Sequence, residues 1–549
     1  MARAHLFAPL AGVAFLLALA ACSAEPVSSD TPTAAVTVVA AESDALPVDV
    51  PVAGEAPQFL DRGTPASLEM EKPAATAAFD FEDVRKLAAE RAAKPYAAQP
   101  ALMKDAAAMD YDAYRRIQNR EDASLWATAA DTFRVVPDPR GYLFTTEVKL
   151  NIIENGDVRP RSYMNEDFRF FDLPLEDDTK KTLGFAGFRV LTPLNVAGKF
   201  DELISFRGAS FFRALGTGNL YGASARGLSI GTASPEGEKF PHFSEFWLVA
   251  PKPGDDAVSM FALLDGESAT GAYEFRVSPG PETKVDVNAV VFPRTTLTSV
   301  GIAPLTSMYF FSPHDLRKNR DDFRPAVHDS EGLALHMANG EWVWRPLLNP
   351  NALQIAVLAN QAPLAFGLVQ RKRGFDDYAD IESGYHDRPT IWVEPKSDWG
   401  EGYLTLVEIP TVNEYNDNIV AFWKPASPWQ EGNAYSFSYT MSWGLAGSVL
   451  MDVATVSDTF AGLRPGSSQP MFIVDYEDIP AALLEGAKAE VSASSGEVQN
   501  VTLRYNPETG KVRLSFDLDP QNADVAELRA LITRGGKPIT ETWLYRWWK

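Results

Sequence analysis

Apolar and polar residues alternate most regularly over 435–443, where Tyr435, Phe437, Tyr439, Met441 and Trp443 are separated by serines and a threonine. A period of two predicts a strand with one packed and one polar face. The same reading places strands over Thr283 to Phe292 (through Val285, Val287 and Val290), Val258 to Leu264 and Ala272 to Val277. Further strands are expected over Glu341 to Pro346, Leu353 to Leu358, Thr390 to Pro395, Tyr403 to Ile409 and Ile419 to Trp423, and Tyr142 to Ile153 is β-rich. Helical spacing is confined to Glu82 to Ala93, to Tyr111 to Gln118 behind a possible Asp110 cap, and to Ala523 to Ile532.

Many short strands, frequent Gly and Pro turns and few helices predict a mainly β fold built on a large antiparallel β-sandwich. Its expected extent is 78–446. After a change of composition near Gly444 to Gly466, the last hundred residues read as a smaller immunoglobulin-like β-sandwich over 450–549. Strands are expected there at Met471 to Tyr476, Glu490 to Ser494, Val501 to Tyr505, Lys511 to Asp517 and Thr542 to Trp547. The sequence Asn506-Pro507-Glu508-Thr509-Gly510 forms a hairpin turn before the fourth of them.

The first 77 residues have another character. Arg3, the apolar run Phe7 to Ala21 and the ending Leu19-Ala20-Ala21-Cys22 read as a bacterial lipoprotein signal over 1–22. Cys22 is the single cysteine of the 549-residue chain, so it is the expected lipidation site and no disulfide is available to the fold. Ser23 follows it, which predicts outer-membrane rather than inner-membrane sorting. Residues 23–77 carry nine acidic and two basic residues and one aromatic, Phe59. Such a segment buries too little to order itself and is expected to be a disordered tether. The membrane is therefore expected to be met only through the lipid anchor.

A formal net charge of -23 repels nucleic acid phosphates and anionic lipid headgroups, but does not oppose a neutral ligand such as a sugar. Gly227-Leu228-Ser229-Ile230-Gly231 fits G-x-S-x-G, yet Thr232 to Gly237 breaks the helix that a nucleophile elbow needs. Five histidines follow the signal segment with no zinc-ligand spacing, so neither metal nor cofactor is expected. Trp342, Trp344, Trp392, Trp399, Trp423, Trp429 and Trp443 cluster in about a fifth of the chain. Their ordinary role is core; beside Arg345, Arg388, Glu394 and Glu408 they also suit a sugar cleft. The loop Glu414-Tyr415-Asn416-Asp417-Asn418 is ordinary turn chemistry, and equally a way to aim a carboxylate from a rigid strand.

Several strings carry a stronger signal: Leu183 to Phe188, Tyr221 to Leu228, Ala303 to Met308, Arg324 to Ser330, Asn339 to Pro346 and Asn416 to Trp423. Through them the chain, from about Phe79 to the C-terminus, resembles the periplasmic glucan biosynthesis proteins G and D of Gram-negative bacteria. The resemblance implies a galactose-mutarotase-like sandwich followed by an immunoglobulin-like domain, and a part in making osmoregulated periplasmic glucans with a β-1,2-glucan backbone. It also implies likeness to inverting endo-β-1,2-glucanases. By position, Asp417 matches the general acid and Asp329 the general base, while Glu414, Tyr385 and Arg388 match polar residues of the cleft. Burial and the neighbouring Glu414 are then expected to hold Asp417 protonated. Three readings stay open: a glycoside hydrolase, a non-catalytic scaffold that guides nascent glucan and docks to inner- or outer-membrane glucan machinery, and, by analogy of fold alone, a lyase or epimerase acting on acidic polysaccharide.

Overall fold

A computed structural model describes residues 79–127, 132–315, 321–445 and 451–549. The signal segment, the tether and Cys22 lie outside the described residues.

Two sheets dominate. The first has the strand order Arg134–Pro139, Phe185–Val196, Lys199–Arg207, Phe211–Ala214, Ser224–Arg226, Val300–Ser307, Ile419–Pro425, Gly402–Glu408, Gln354–Ala359. One cross-strand row shows why it packs: Phe188, Phe206, Phe212, Ala225, Leu305, Ala421, Leu406 and Ala356 are successive register partners. All eight lie in the main core. They meet the second sheet through rings, with Phe188 to Phe246 at 4.9 Å and Phe206 to Phe275 at 5.1 Å between centroids. Because side chains alternate across a strand, Arg189, Ser205 and Arg213 point to the opposite, outer face.

The second sheet is longer and continuous. Its order runs Ala487–Ala493, Val525–Arg534, Thr542–Trp548, Trp342–Pro346, Gly332–His336, Ala365–Val369, Thr390–Pro395, Tyr435–Gly444, Glu282–Pro293, Ala269–Ser278, Val258–Asp265, His242–Val249, Lys149–Glu154, Asp157–Arg161. Two of its pairings are parallel: Lys149–Glu154 with His242–Val249, and Trp342–Pro346 with Thr542–Trp548. The second joins the C-terminal hundred residues to the body, by Val343 against Thr542 and Trp344 against Trp543. A separate four-stranded sheet, Val456–Leu463, Pro470–Tyr476, Val512–Asp519 and Glu497–Tyr505, completes the C-terminal sandwich.

The expected helix over Ala523 to Ile532 is a strand, Val525–Arg534. Its apolar residues fit either period; what decides is pairing on both sides, with Ala487–Ala493 and with Thr542–Trp548. The expected second helix shrinks to Tyr111–Tyr114, with Asp110 capping as predicted by accepting from the Ala113 amide at 2.7 Å. The first helix, Phe81–Ala92, is capped by Asp80 and buries Val84 and Ala88 in a cluster with Trp247 and Phe261. Among the described residues no helix is long and apolar enough to cross a membrane.

Candidate functional site

The Asn416-Asp417-Asn418 turn is held at several points. Asn418 is buried; its Oδ1 accepts from the Tyr309 amide at 2.8 Å and its Nδ2 donates to the Ile409 carbonyl at 3.1 Å. Its backbone amide donates to the Ser307 carbonyl at 3.1 Å. Upstream, Asn413 Oδ1 accepts from the Tyr415 amide at 3.0 Å and from Asn416 Nδ2 at 3.1 Å. Short polar side chains thus close the turn on itself and staple it to the end of Val300–Ser307.

The same strand end holds the other acid. The Asp329 amide donates to the Met308 carbonyl at 2.8 Å, and Val327–His328 pairs with Tyr309–Phe311. Residues 307–309 therefore carry both carboxylates, and the two sense each other: Asp417 is among the groups that raise the Asp329 carboxyl. Beneath them His328 gives Nδ1 to a 2.9 Å hydrogen bond with Gln370, whose Nε2 donates to the carbonyls of His328 and Tyr385, each at 3.0 Å. Burial holds the His328 imidazole down at about 3, so it stays neutral.

Both acids are buried, with side chains 1% exposed for Asp329 and 3% for Asp417. Arg388 grips Asp329 Oδ1 through Nη1, and its Nη2 donates to the Ser383 carbonyl at 3.0 Å. Asp329 Oδ2 and both oxygens of Asp417 have no hydrogen-bond partner among the described residues. Burial pushes the Asp329 carboxyl up to about 6, against the pull of Arg388. Burial also raises Asp417, while Arg213, Arg226 and Arg388 pull it down. Arg213 Nη2 lies 3.9 Å from Asp417 Oδ2.

Tyr385 and Arg388 join this centre. The Arg388 guanidinium lies 4.2 Å from the Tyr385 ring centroid, and the Tyr385 hydroxyl is buried beside Ser383. Burial, with Asp329 and Glu414 adding, keeps that phenol protonated. Glu414 is placed differently from the expectation that it neighbours Asp417 as a like charge. It forms an ion pair with Arg324 at 2.7 Å, and Arg324 also holds Asp380 at 2.8 Å. The like-charge influence is instead that of Asp417 on Asp329.

The seven tryptophans are core, not cleft. Trp342, Trp344 and Trp392 pack in the C-terminal cluster, and Trp399, Trp423, Trp429 and Trp443 in the main one. Arg345 and Glu408 are also withdrawn from any cleft: they pair at 3.2 Å with side chains 1% exposed. Glu394 lies on the long sheet, in register with Thr440. Arg213, Arg226 and Arg324 are the site residues that the pattern alone does not single out. Arg226 and Arg324 stand inside the strings that carry the family resemblance. Arg213 has only a local cue, a cation alternating with the core ring Phe212.

A two-sheet β protein with two carboxylates sunk among arginines on one sheet's outer side is the class that fold and site define. The chain belongs to the MdoG family of periplasmic glucan biosynthesis proteins, whose profile matches residues 79–547. It is 42% identical over 479 residues to "Glucans biosynthesis protein G" of Vibrio cholerae, spanning 86% of this chain and 88% of that one. The protein of the same description from Shewanella sp. strain W3-18-1 is 42% identical over 477 residues, 86% of this chain and 87% of that one. A galactose mutarotase related enzyme from Lactobacillus acidophilus aligns with 43% of this chain and 96% of its own, at 10% identity and a TM-score of 0.19. At that score the architecture rests on the strand register described above.

Proposed function

We propose that this chain hydrolyses the β-1,2-linked backbone of osmoregulated periplasmic glucan during its synthesis, with Asp417 as general acid and Asp329 as general base of an inverting reaction. The observation that carries the reading is the asymmetry of the buried pair. Asp329 touches a guanidinium, which favours its ionised form, while Asp417 accepts no hydrogen bond from a described residue and burial raises its carboxyl toward the protonated form that a general acid needs. An inverting glycosidase needs that division of labour. The protonated carboxyl delivers its proton to the leaving glycosidic oxygen, and the ionised one takes a proton from the water that attacks the anomeric carbon from the opposite side. Arg388 favours the ionised form of Asp329, and the Tyr385 hydroxyl, which stays protonated, orients a sugar hydroxyl or the water. Glu414, fixed by Arg324, walls the centre and accepts from sugar hydroxyls.

Linear β-1,2-glucan incubated with the protein should shorten to oligosaccharides with inverted anomeric configuration. Binding without any shortening would instead support a scaffold that guides the nascent chain. Activity should fall as pH drops through about 6, because Asp329 takes up a proton there and loses its capacity as a base. A rate that stays flat between pH 7 and pH 5 would remove Asp329 from that role.

The reading includes lipidation at Cys22, an outer-membrane anchor and a tether over 23–77, with glucan machinery of the envelope as partner. It also takes 78–446 as the glucan-acting domain and 450–549 as an immunoglobulin-like companion.

A further inference from the structure

The segment Gln370-Arg371-Lys372-Arg373 follows the strand Ala365–Val369 and divides its side chains between the acid centre and the C-terminal sandwich. The middle two reach the sandwich. Arg371 donates to the two carboxylate oxygens of Glu541, at 2.6 and 3.0 Å, and to the Val456 carbonyl at 2.7 Å. Its guanidinium lies 3.7 Å from the Trp344 ring centroid. Lys372 pairs with Asp458. The outer two reach the turn that presents Arg388.

That turn is Tyr385–Asp387, with Arg388 directly after it, and each of its main-chain carbonyls is answered. Gln370 Nε2 donates to the carbonyl of Tyr385. Arg373 Nη1 donates to the carbonyl of His386, at 3.1 Å, and to that of Arg388. The Asp387 carbonyl accepts from the Leu220 amide at 3.0 Å and from Asn219 Nδ2 at 3.1 Å. Arg373 Nη2 donates to Thr390 Oγ1 at 3.3 Å, and the same oxygen accepts from the Gln370 amide at 3.2 Å. The hydrogen bonds of Arg373 thus go to main-chain carbonyls and one hydroxyl rather than to a carboxylate, although burial works against its charge. A planar fork of donors can hold these acceptors at once; a single ammonium cannot.

Arg388 has no slack on its other side. Its stem lies against Gly222, where an added Cβ would stand 2.9 Å from the Arg388 Cβ. Its guanidinium is fixed at both ends, by Asp329 and by the Ser383 carbonyl. A displacement of the main chain at 388 is therefore passed to the contact with Asp329.

We propose that Arg373 is a positioning residue for the reaction: anchored with its segment on the C-terminal sandwich, it fixes the main chain of Arg388 and so the reach of the Arg388 guanidinium to Asp329. This rests on the hydrolytic reading above.

Such a role has a signature in the pH profile. Arg388 and Arg213 pull the Asp329 carboxyl down and Asp417 pushes it up. The phenols of Tyr378 and Tyr385 stay protonated and the His328 imidazole stays neutral, so none of these titrates against it in the acid range where activity falls. Loosening the grip of Arg388 raises the Asp329 carboxyl, and the base is then lost at a higher pH.

The test compares the full chain with its Arg373→Lys form, which keeps the positive charge and loses the fork. Turnover of linear β-1,2-glucan is expected to fall by about 10²-fold, the effect of a misplacement of about 1 Å, with KM little changed. The acid limb of kcat/KM is expected to move up by about one pH unit, the low end of what an opposite charge contributes. Should the Arg373→Lys protein fail to fold, Thr390→Val takes its place: it removes the oxygen that Arg373 Nη2 and the Gln370 amide share, and it must move the acid limb in the same direction. An acid limb that stays in place, whatever happens to rate or melting temperature, overturns the positioning role and leaves the hydrolytic reading standing. An unaltered protein that does not shorten the glucan overturns both.

Discussion

Asp417→Asn is expected to lower turnover of β-1,2-glucan by about 10²–10⁴-fold, the range for losing a general acid, while glucan still binds. The substitution keeps the size of the side chain and removes only the proton to be donated. The turn that carries it does not depend on the carboxylate. Asn413, Asn416 and Asn418 make the turn's hydrogen bonds, and neither oxygen of Asp417 accepts one from a described residue. The fold should therefore be unaffected, and a reading of product size beside a binding titration separates chemistry from affinity. Equal loss of binding and turnover would mean that Asp417 holds substrate instead of protonating it. The Asp329→Asn protein should fail differently: Arg388 loses its charged partner, so a fall in thermal stability should accompany the loss of turnover.

Glu408→Ala should destabilise the protein by about 3–5 kcal/mol, the range for breaking a buried ion pair from one side. Glu408 Oε2 lies 3.2 Å from Arg345 Nη2, and its Oε1 accepts from the Leu348 amide at 2.8 Å. Its loss leaves Arg345 in the interior with Glu527, at 3.6 Å, as its remaining ion-pair partner among the described residues. Glu527 in turn pairs with Arg546, whose Nη1 donates to Gln354 Oε1 at 2.8 Å. The network thus ties the end of Gly402–Glu408 to the C-terminal sandwich. Denaturant unfolding measures the effect. A Glu408→Ala protein of undiminished stability but weakened glucan affinity would return this residue to the cleft.

Strand positions were legible wherever one face packs and the other does not, as over Tyr435–Gly444, because burial imposes the period directly. The strands Val300–Ser307 and Gly332–His336 were not read from the pattern. The first is buried at every position and the second at all but one, so neither shows a polar alternation. Val525–Arg534 failed for the opposite reason: Ala526, Leu528, Ala530 and Ile532 are buried together, yet residues of high helix propensity fill the segment, and long-range pairing overrode it. At the site, Asp329, Arg388 and Tyr385 lie near Asp417, a placement that sequence spacing does not reveal. Charge bookkeeping along the chain could not do the rest. Glu414 is close to Asp417 in sequence, but an arginine about ninety residues upstream neutralises it. Arginines that lie far from Asp417 in sequence, such as Arg213, come near it only because neighbouring strands place them there.

The parallel pairing of Trp342–Pro346 with Thr542–Trp548 has a consequence for any shortened form of the protein. Removing residues from 451 onward would strip the cover from a strand reading Trp-Val-Trp-Arg-Pro, whose residues are all buried in the whole chain. Its amide and carbonyl groups would then face solvent as an unpaired sheet edge, flanked by the indoles that now pack against Ala530 and Trp543 in the C-terminal cluster. Such an edge recruits other strands, so a body cut free of its companion would self-associate. The C-terminal hundred residues therefore act as the terminating cap of a sheet that would otherwise remain open to polymerisation.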